Sequence, residues 1–206
     1  MSFPYRYGIN SMLLNNRGEK FLDAEFLLGI EPRRDGRTNT PWFELDCSAK
    51  NTPMVLHYMR QSPCEGRSGK VMVMATLSSR SAVIFDLDND GDLDIVTNDF
   101  NSPPQVLISD LAQRKQIHWL KVVLNGTVSN RNGLGTTVRV GTGGQVYSRY
   151  NDGKSGYLAQ SVLPLYFGLG DAEKIERVEV DWPSGRKQVL TEGLRVNDTL
   201  RVTERR

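Results

Sequence analysis

Helical periodicity is scarce in this sequence. Apolar residues do not recur at the three- and four-residue spacing of an amphipathic helix, which argues against a helical bundle. No apolar run approaches the roughly 20 residues that a membrane-spanning helix needs. The opening "MSFPYRYGIN" lacks the apolar centre of a secretory leader. It therefore predicts either a cytoplasmic protein or a mature form or fragment of an exported one. A net charge of +2 is too small to nominate nucleic acid or a membrane surface as partner. The two histidines, His57 and His118, stand alone, and G-x-S-x-G, HExxH and a Cys/His nucleophile signature are all missing. Hydrolytic chemistry needs a positioned acid and base or an activated nucleophile, so these absences weigh against an enzyme. Cysteine is nearly absent too. Cys47 and Cys64 do not form a CxxC or a Cys/His metal pattern. They read as a disulfide worth roughly 3 kcal/mol if the protein is exported, and as two unrelated thiols otherwise.

What the sequence has in quantity is short β-branched runs bounded by Gly, Asn, Asp and Pro. "KVMVMATL", "SAVIFDL", "LDIVTN", "HWLKVVLNG", "TTVRVGTG", "RVEVDWPSG" and "DTLRVTE" are among them. This spacing predicts an all-β protein built of hairpins. "NNRGEKF" (15–21), "GTGGQ" (141–145) and "WPSGRKQ" (182–188) carry the turn residues that would join strands. Residues 31–69 are irregular and rich in Pro, Arg and Asn, and they hold both cysteines. Strands follow regularly after about residue 117, and "LAQRKQI" interrupts the apolar pattern just before it. A domain boundary is expected there, giving 1–117 and 118–206.

Negative charge is concentrated in one place. From Ser81 to Ile117 seven aspartates face only Arg114 and Lys115. Five of them, Asp86, Asp88, Asp90, Asp92 and Asp94, alternate through "FDLDNDGDLDI". Carboxylates two residues apart in a curled loop can turn inward on one ion, and Gly91 at the sixth place permits a sharp turn. Calcium takes about 6–8 hard oxygens and suits such a loop; magnesium, with stricter octahedral demands, is the second choice. The alternative is a solvated acidic turn holding no metal. An EF-hand is disfavoured, because its twelfth place requires Glu where this chain has Thr97, and its flanks must be helices.

"VIFDLDNDGDLDIVTND" resembles the calcium loop of FG-GAP/VCBS repeats, the blade units of integrin-type β-propellers. That resemblance implies side-chain ligands at Asp86, Asp88, Asp90 and Asp94 and a carbonyl ligand at Asp92. "NSMLLNNRGEKFLDAEFLLGI" (10–30) is similar to a hairpin that accompanies such blades, with Arg17 and Glu19 departing from its pattern. "HWLKVVLNGTVSNRNGLGTTVRV", "SGYLAQS" and "LYFGLGDAEKIERVEVDWPSGRKQVL" together resemble the ASPIC/UnbV domain, which closes FG-GAP proteins of the cartilage acidic protein type. The resemblance implies an extracellular or periplasmic, non-enzymatic protein. The expected fold is a partial β-propeller followed by a small β-sandwich or barrel-like domain.

Residues 1–117 supply about two blades, whereas a propeller closes with at least four. Open sheet edges invite aggregation. Further blades, a second copy of the chain, the 31–69 insertion or the C-terminal domain is expected to cover them. The leading functional expectation is a calcium-stabilised module for adhesion or for binding a protein or glycan. A polysaccharide hydrolase or lyase is one alternative, and a purely structural end of a larger propeller is another. Trp182, Tyr157 and Tyr166 are either core aromatics or a sugar-stacking platform. "NGT" at Asn125 and "NDT" at Asn197 fit the N-glycosylation pattern.

Overall fold

The structure, a computed structural model, describes residues 11–16, 19–24, 39–48, 64, 66–76, 79–99 and 104–206. Strands dominate, as the β-branched runs and turn residues require, and the one helix among the described residues is a four-residue turn, α1 (Leu111–Arg114). The chain divides into two compact units. The first comprises Met1–Arg80 with Thr97–Gln105; the second comprises Ser81–Val96 with Val106–Arg206.

In the first unit, β1 (Leu13–Asn16) and β2 (Lys20–Asp23) form an antiparallel hairpin around the predicted 15–21 turn, with Leu14 opposite Leu22 and Asn15 opposite Phe21. Cross-strand partners share a face, so Leu14 and Leu22 lie on one side and Leu13 and Phe21 on the other. All four are exposed. β3 (Asn39–Asp46) pairs antiparallel with β4 (Lys70–Thr76), and the register shifts between Pro41 and Phe43, as a strand proline favours. Leu45 and Val73 are buried between them, and Phe43, Cys47 and Cys64 pack against the pair. Cys47 and Cys64 are joined in a disulfide with a Cα–Cα distance of 5.3 Å. Most of the 31–69 insertion, His57 included, lies outside the described residues.

The second unit holds the main core. β8 (His118–Asn125) is the middle strand of a three-stranded sheet, antiparallel to β13 (Leu165–Gly170) and parallel to β16 (Asp198–Thr203). A four-stranded antiparallel sheet runs in the order β10 (Gln145–Tyr150), β9 (Thr137–Thr142), β14 (Arg177–Asp181), β15 (Lys187–Leu190). Leu120, Val122, Leu124, Phe167, Leu169 and Val202 of the first sheet and Val138, Val140, Val178 and Val180 of the second form one buried cluster with Ile175 and Trp182. Two sheets whose inner faces interdigitate in this way make a β-sandwich, with Val138, Val140, Val178 and Val180 turned inward between the outward Thr137, Arg139, Arg177, Glu179 and Asp181. A small hairpin, β11 (Lys154–Gly156) with β12 (Ala159–Gln160), stands apart from both sheets.

The predicted "WPSG" turn joins β14 to β15, closed by hydrogen bonds from Gly185 N to Trp182 O and from Trp182 N to Arg186 O. At the chain's end, Glu204 is buried at 2% exposure and Oε2 accepts the backbone N–H groups of Thr127, Val128 and Ser129. Oε1 accepts the hydroxyls of Ser129 and Ser184. Burial pushes this carboxyl's pKa upward, but the hydrogen bonds from Ser184, Ser129, Thr127 and Val128 outweigh it and hold the value down at about 2.

A third sheet, in the order β5 (Ser79–Phe85), β6 (Asp94–Asp99), β7 (Val106–Leu107), carries the aspartate loop between its first two strands. The composition shift near residue 117 falls inside the second unit, where 81–96 group with the sandwich. The reason is physical: the loop's buried polar groups find their partners on β8, β13 and the 109–112 segment.

Candidate metal centre

The loop between Phe85 and Asp94 is flanked by strands, which confirms the exclusion of an EF-hand. Thr97, at the place of the EF-hand glutamate, is buried, and its hydroxyl accepts the N–H of Gln105. Within the loop the aspartates do different things. Asp88 Oδ1 accepts Asp90 N at 3.3 Å and Asp90 Oδ1 accepts Asp92 N at 3.0 Å, two successive side-chain turns that curl the backbone. Asp86 Oδ2 accepts Gly91 N across the curl at 2.9 Å. Asp94, 1% exposed at the start of β6, accepts Leu87 N on Oδ2 and Ser109 N on Oδ1.

The result is convergence of three of the five predicted residues. Asp86, Asp88 and Asp94 each present a carboxylate oxygen, and these atoms lie within 4.8 Å of one another, an arrangement that could hold a metal ion. Asp90 and Asp92 are not in that group. Asp92 is buried and turns Oδ2 to Ala112 N at 2.8 Å. Asp86 Oδ1 and Asp92 Oδ1 are buried and, among the described residues, accept no hydrogen bond. Leaving a carboxylate oxygen buried without a donor is costly, and a cation is one group that offsets the cost. All-oxygen donors, several of them anionic, suit a hard cation such as calcium or magnesium better than a softer metal.

Three residues that composition and motif reading had not assigned to the loop complete its surroundings. Trp119 and Lys121 alternate with the core residues of β8, so they project from the outer face of the sandwich. The register sets Tyr166 opposite Lys121 and Gly168 opposite Trp119. Lys121 Nζ sits 2.5 Å from Asp86 Oδ2, with side chains 13% and 1% exposed. It also lies 4.8 Å from the centroid of the Trp119 ring, a cation–π contact. Trp119 stacks on Tyr166 with centroids 6.4 Å apart and planes 18° from parallel. The Tyr166 hydroxyl donates to Gly91 O at 2.8 Å. Burial, reinforced by the negative charges of Asp86, Asp92 and Asp90, pushes the Tyr166 phenol up to about 12, so it stays a donor at neutral pH.

Gly91 has a second reason to be glycine beyond the turn. Its φ is +99°, and a Cβ there would lie 2.2 Å from Trp119 Nε1. The indole edge occupies the space a side chain would fill. Of the three aromatics that were either core or platform, Trp182 is 3% exposed in the sandwich core, Tyr166 is engaged by the loop, and Tyr157 is open. His118 lies beside Gln116 Nε2 and touches no aspartate of the loop among the described contacts.

Residues 126–206 match the family model described as ASPIC and UnbV. No curated protein matches the chain. The match therefore covers the C-terminal domain that "SNRNGLG", "FGLG" and "WPSG" had indicated, beginning just after β8. The strand that carries Trp119 and Lys121, and the aspartate loop itself, lie on its N-terminal side.

Proposed function

We propose that this protein is a non-enzymatic, calcium-stabilised binding or adhesion module that works outside the cytoplasm. The observation that carries the reading is the convergence of Asp86, Asp88 and Asp94 beside a buried Asp86 oxygen that lacks a donor. Asp86, Asp88 and Asp94 would hold the ion, with Asp90 and Asp92 shaping the loop. Bound calcium would supply positive charge to a crowded set of carboxylates and so fix the turn between β5 and β6. Sites in extracellular modules work at Kd of about 10⁻⁴–10⁻³ M, which fits an oxidising, calcium-rich compartment. The Cys47–Cys64 disulfide is consistent with that compartment. No helix among the described residues is long and apolar enough to cross a membrane.

The FG-GAP/VCBS reading of the first unit belongs to the same proposal. A two-stranded hairpin with exposed leucine and phenylalanine on both faces is what a sheet lying between neighbouring sheets would present. Further blades or a second copy of the chain would cover it, and the adhesive ligand would be a protein or a glycan.

Calorimetric titration with calcium chloride tests the central element. The expected result is one site with Kd of about 0.1–1 mM, weaker binding of magnesium, and loss of the heat in Asp88→Ala. Absence of binding at 10 mM calcium (about tenfold above the weakest expected Kd) would remove the proposal's basis.

A further inference from the structure

We propose that Lys121 is the loop's tethered cation: its ammonium holds Asp86 when no metal is bound and, by staying beside the loop, weakens the site for a divalent ion. The inference rests on the calcium reading above and extends it to a residue outside the aspartate motif.

Among the described residues, Lys121 is the basic side chain that the structure pairs with the loop's carboxylates, at 2.5 Å from Asp86 Oδ2. It is not a surface ion pair. The carboxylate is 1% exposed and the ammonium's side chain 13% exposed, so both charges are withdrawn from water, where breaking one partner leaves the other uncompensated. The ammonium is also confined. Trp119 lies beneath it at 4.8 Å, Tyr166 stacks on Trp119, and the Tyr166 hydroxyl holds Gly91 O at 2.8 Å. β8 places Lys121 on the same face as Trp119 and opposite Tyr166, so core packing of Leu120 and Val122 aims the side chain at the loop.

Asp86 then has two oxygens with two fates. Oδ2 accepts Gly91 N and Lys121 Nζ, while Oδ1 is buried and has no hydrogen-bond partner among the described residues. A divalent ion held through Asp86 shares that carboxylate with an ammonium that cannot retreat far into water. Like charges on one ligand repel, so each bound ion is destabilised by Lys121. In the absence of metal the same ammonium offsets part of the aspartates' mutual repulsion and keeps the loop folded. A site with an internal competitor is stable when empty and saturates only where the divalent ion is abundant.

The test uses Lys121→Gln, which keeps an N–H donor for Asp86 but removes the charge, and Lys121→Arg, which keeps the charge. Terbium binding is read by luminescence sensitised through the nearby Trp119, calcium by competition against it, and melting is followed in chelator and in 10 mM calcium. Lys121→Gln is expected to bind calcium at least about fivefold more tightly than wild type, the lower end of ordinary coupling between linked sites. Its melting point should fall in chelator and recover in calcium, and Lys121→Arg should bind within about twofold of wild type, as retention of the charge implies. Equal or weaker calcium binding by Lys121→Gln, with melting points lowered in parallel, would overturn the inference and leave a plain structural ion pair. So would failure of Lys121→Gln to fold even in calcium, since a divalent ion should replace the missing charge. Wild type that binds neither terbium nor calcium would instead defeat the calcium reading itself.

Discussion

Replacing Gly91 by alanine separates the two reasons for a glycine at the sixth loop position. The backbone there has φ +99°, a conformation that costs a residue with a Cβ about 1–2 kcal/mol. The new methyl would also meet Trp119 Nε1 at 2.2 Å, so the indole must move. Displacing it weakens a stack with Tyr166, of about 0.5–1.5 kcal/mol, and a cation–π contact with Lys121, of about 0.5–2 kcal/mol. A total loss of about 2–5 kcal/mol is expected for Gly91→Ala. Gly185 supplies the control within the same unit: its φ is +86°, and a Cβ there meets nothing within 4 Å. Gly185→Ala should lose only the backbone part, about 1–2 kcal/mol. Urea unfolding followed by circular dichroism and tryptophan fluorescence reads the contrast. With a slope near 2 kcal/mol/M, the Gly91 variant should unfold roughly 0.5–1.5 M earlier than the Gly185 variant. In a Trp119→Leu background that difference should shrink towards zero. Equal midpoints for the two alanine variants would refute the packing of Trp119 against the loop, and with it the docking of the loop on β8.

Three further outcomes follow from other parts of the molecule. Asp88 is exposed and, among the described residues, its carboxylate accepts a single long hydrogen bond, from Asp90 N at 3.3 Å, so Asp88→Ala should change ion-free stability by less than about 0.5 kcal/mol. It should nevertheless abolish a calcium stabilisation of about 1.4–2.7 kcal/mol at 10 mM, the value for Kd between 1 and 0.1 mM, measured as a melting shift against chelator. Glu204 has its pKa lowered from 4.5 to about 2 on folding, so its contribution is present above pH 4.5 and is lost as pH falls through 2. Melting between pH 5 and pH 2 should therefore show a steeper acid decline in wild type than in Glu204→Gln. Reduction and alkylation of the Cys47–Cys64 disulfide, which spans a separation of 17 residues, should cost the first unit about 3 kcal/mol, measured by denaturant unfolding of the oxidised and reduced forms.

The sandwich was readable because its signals are local. "TTVRVGTG" and "RVEVDWPSG" alternate with period two, and their turns carry Pro and Gly at places where the chain reverses, so β9, β14 and β15 stand where the pattern put them. The aspartate loop was readable for the same reason: alternating carboxylates and a glycine are neighbours in the chain. What the pattern could not show was division of labour. Asp86, Asp88 and Asp94 bring carboxylate oxygens together, while Asp90 caps the N–H of Asp92 and the Asp92 carboxylate reaches Ala112 N, 20 residues away. Nor could it show which surface receives the loop. Trp119, Lys121 and Tyr166 are brought to it by strand register across separations of 35 and 75 residues, and alternation alone marks them only as outward-facing. Trp182 illustrates how register decides between readings: beside a turn it is either a core aromatic or part of a platform, and its inward register places it in the core at 3% exposure.

Crystals grown with 10 mM calcium, measured at a wavelength where calcium scatters anomalously, test the central claim most directly (10 mM exceeds the expected Kd of about 0.1–1 mM). Calcium occupancy predicts a single anomalous peak bounded by oxygens of Asp86, Asp88 and Asp94, about 2.3–2.6 Å from each. An ordered loop with no peak, and Asp86 Oδ1 still without a partner, would contradict it.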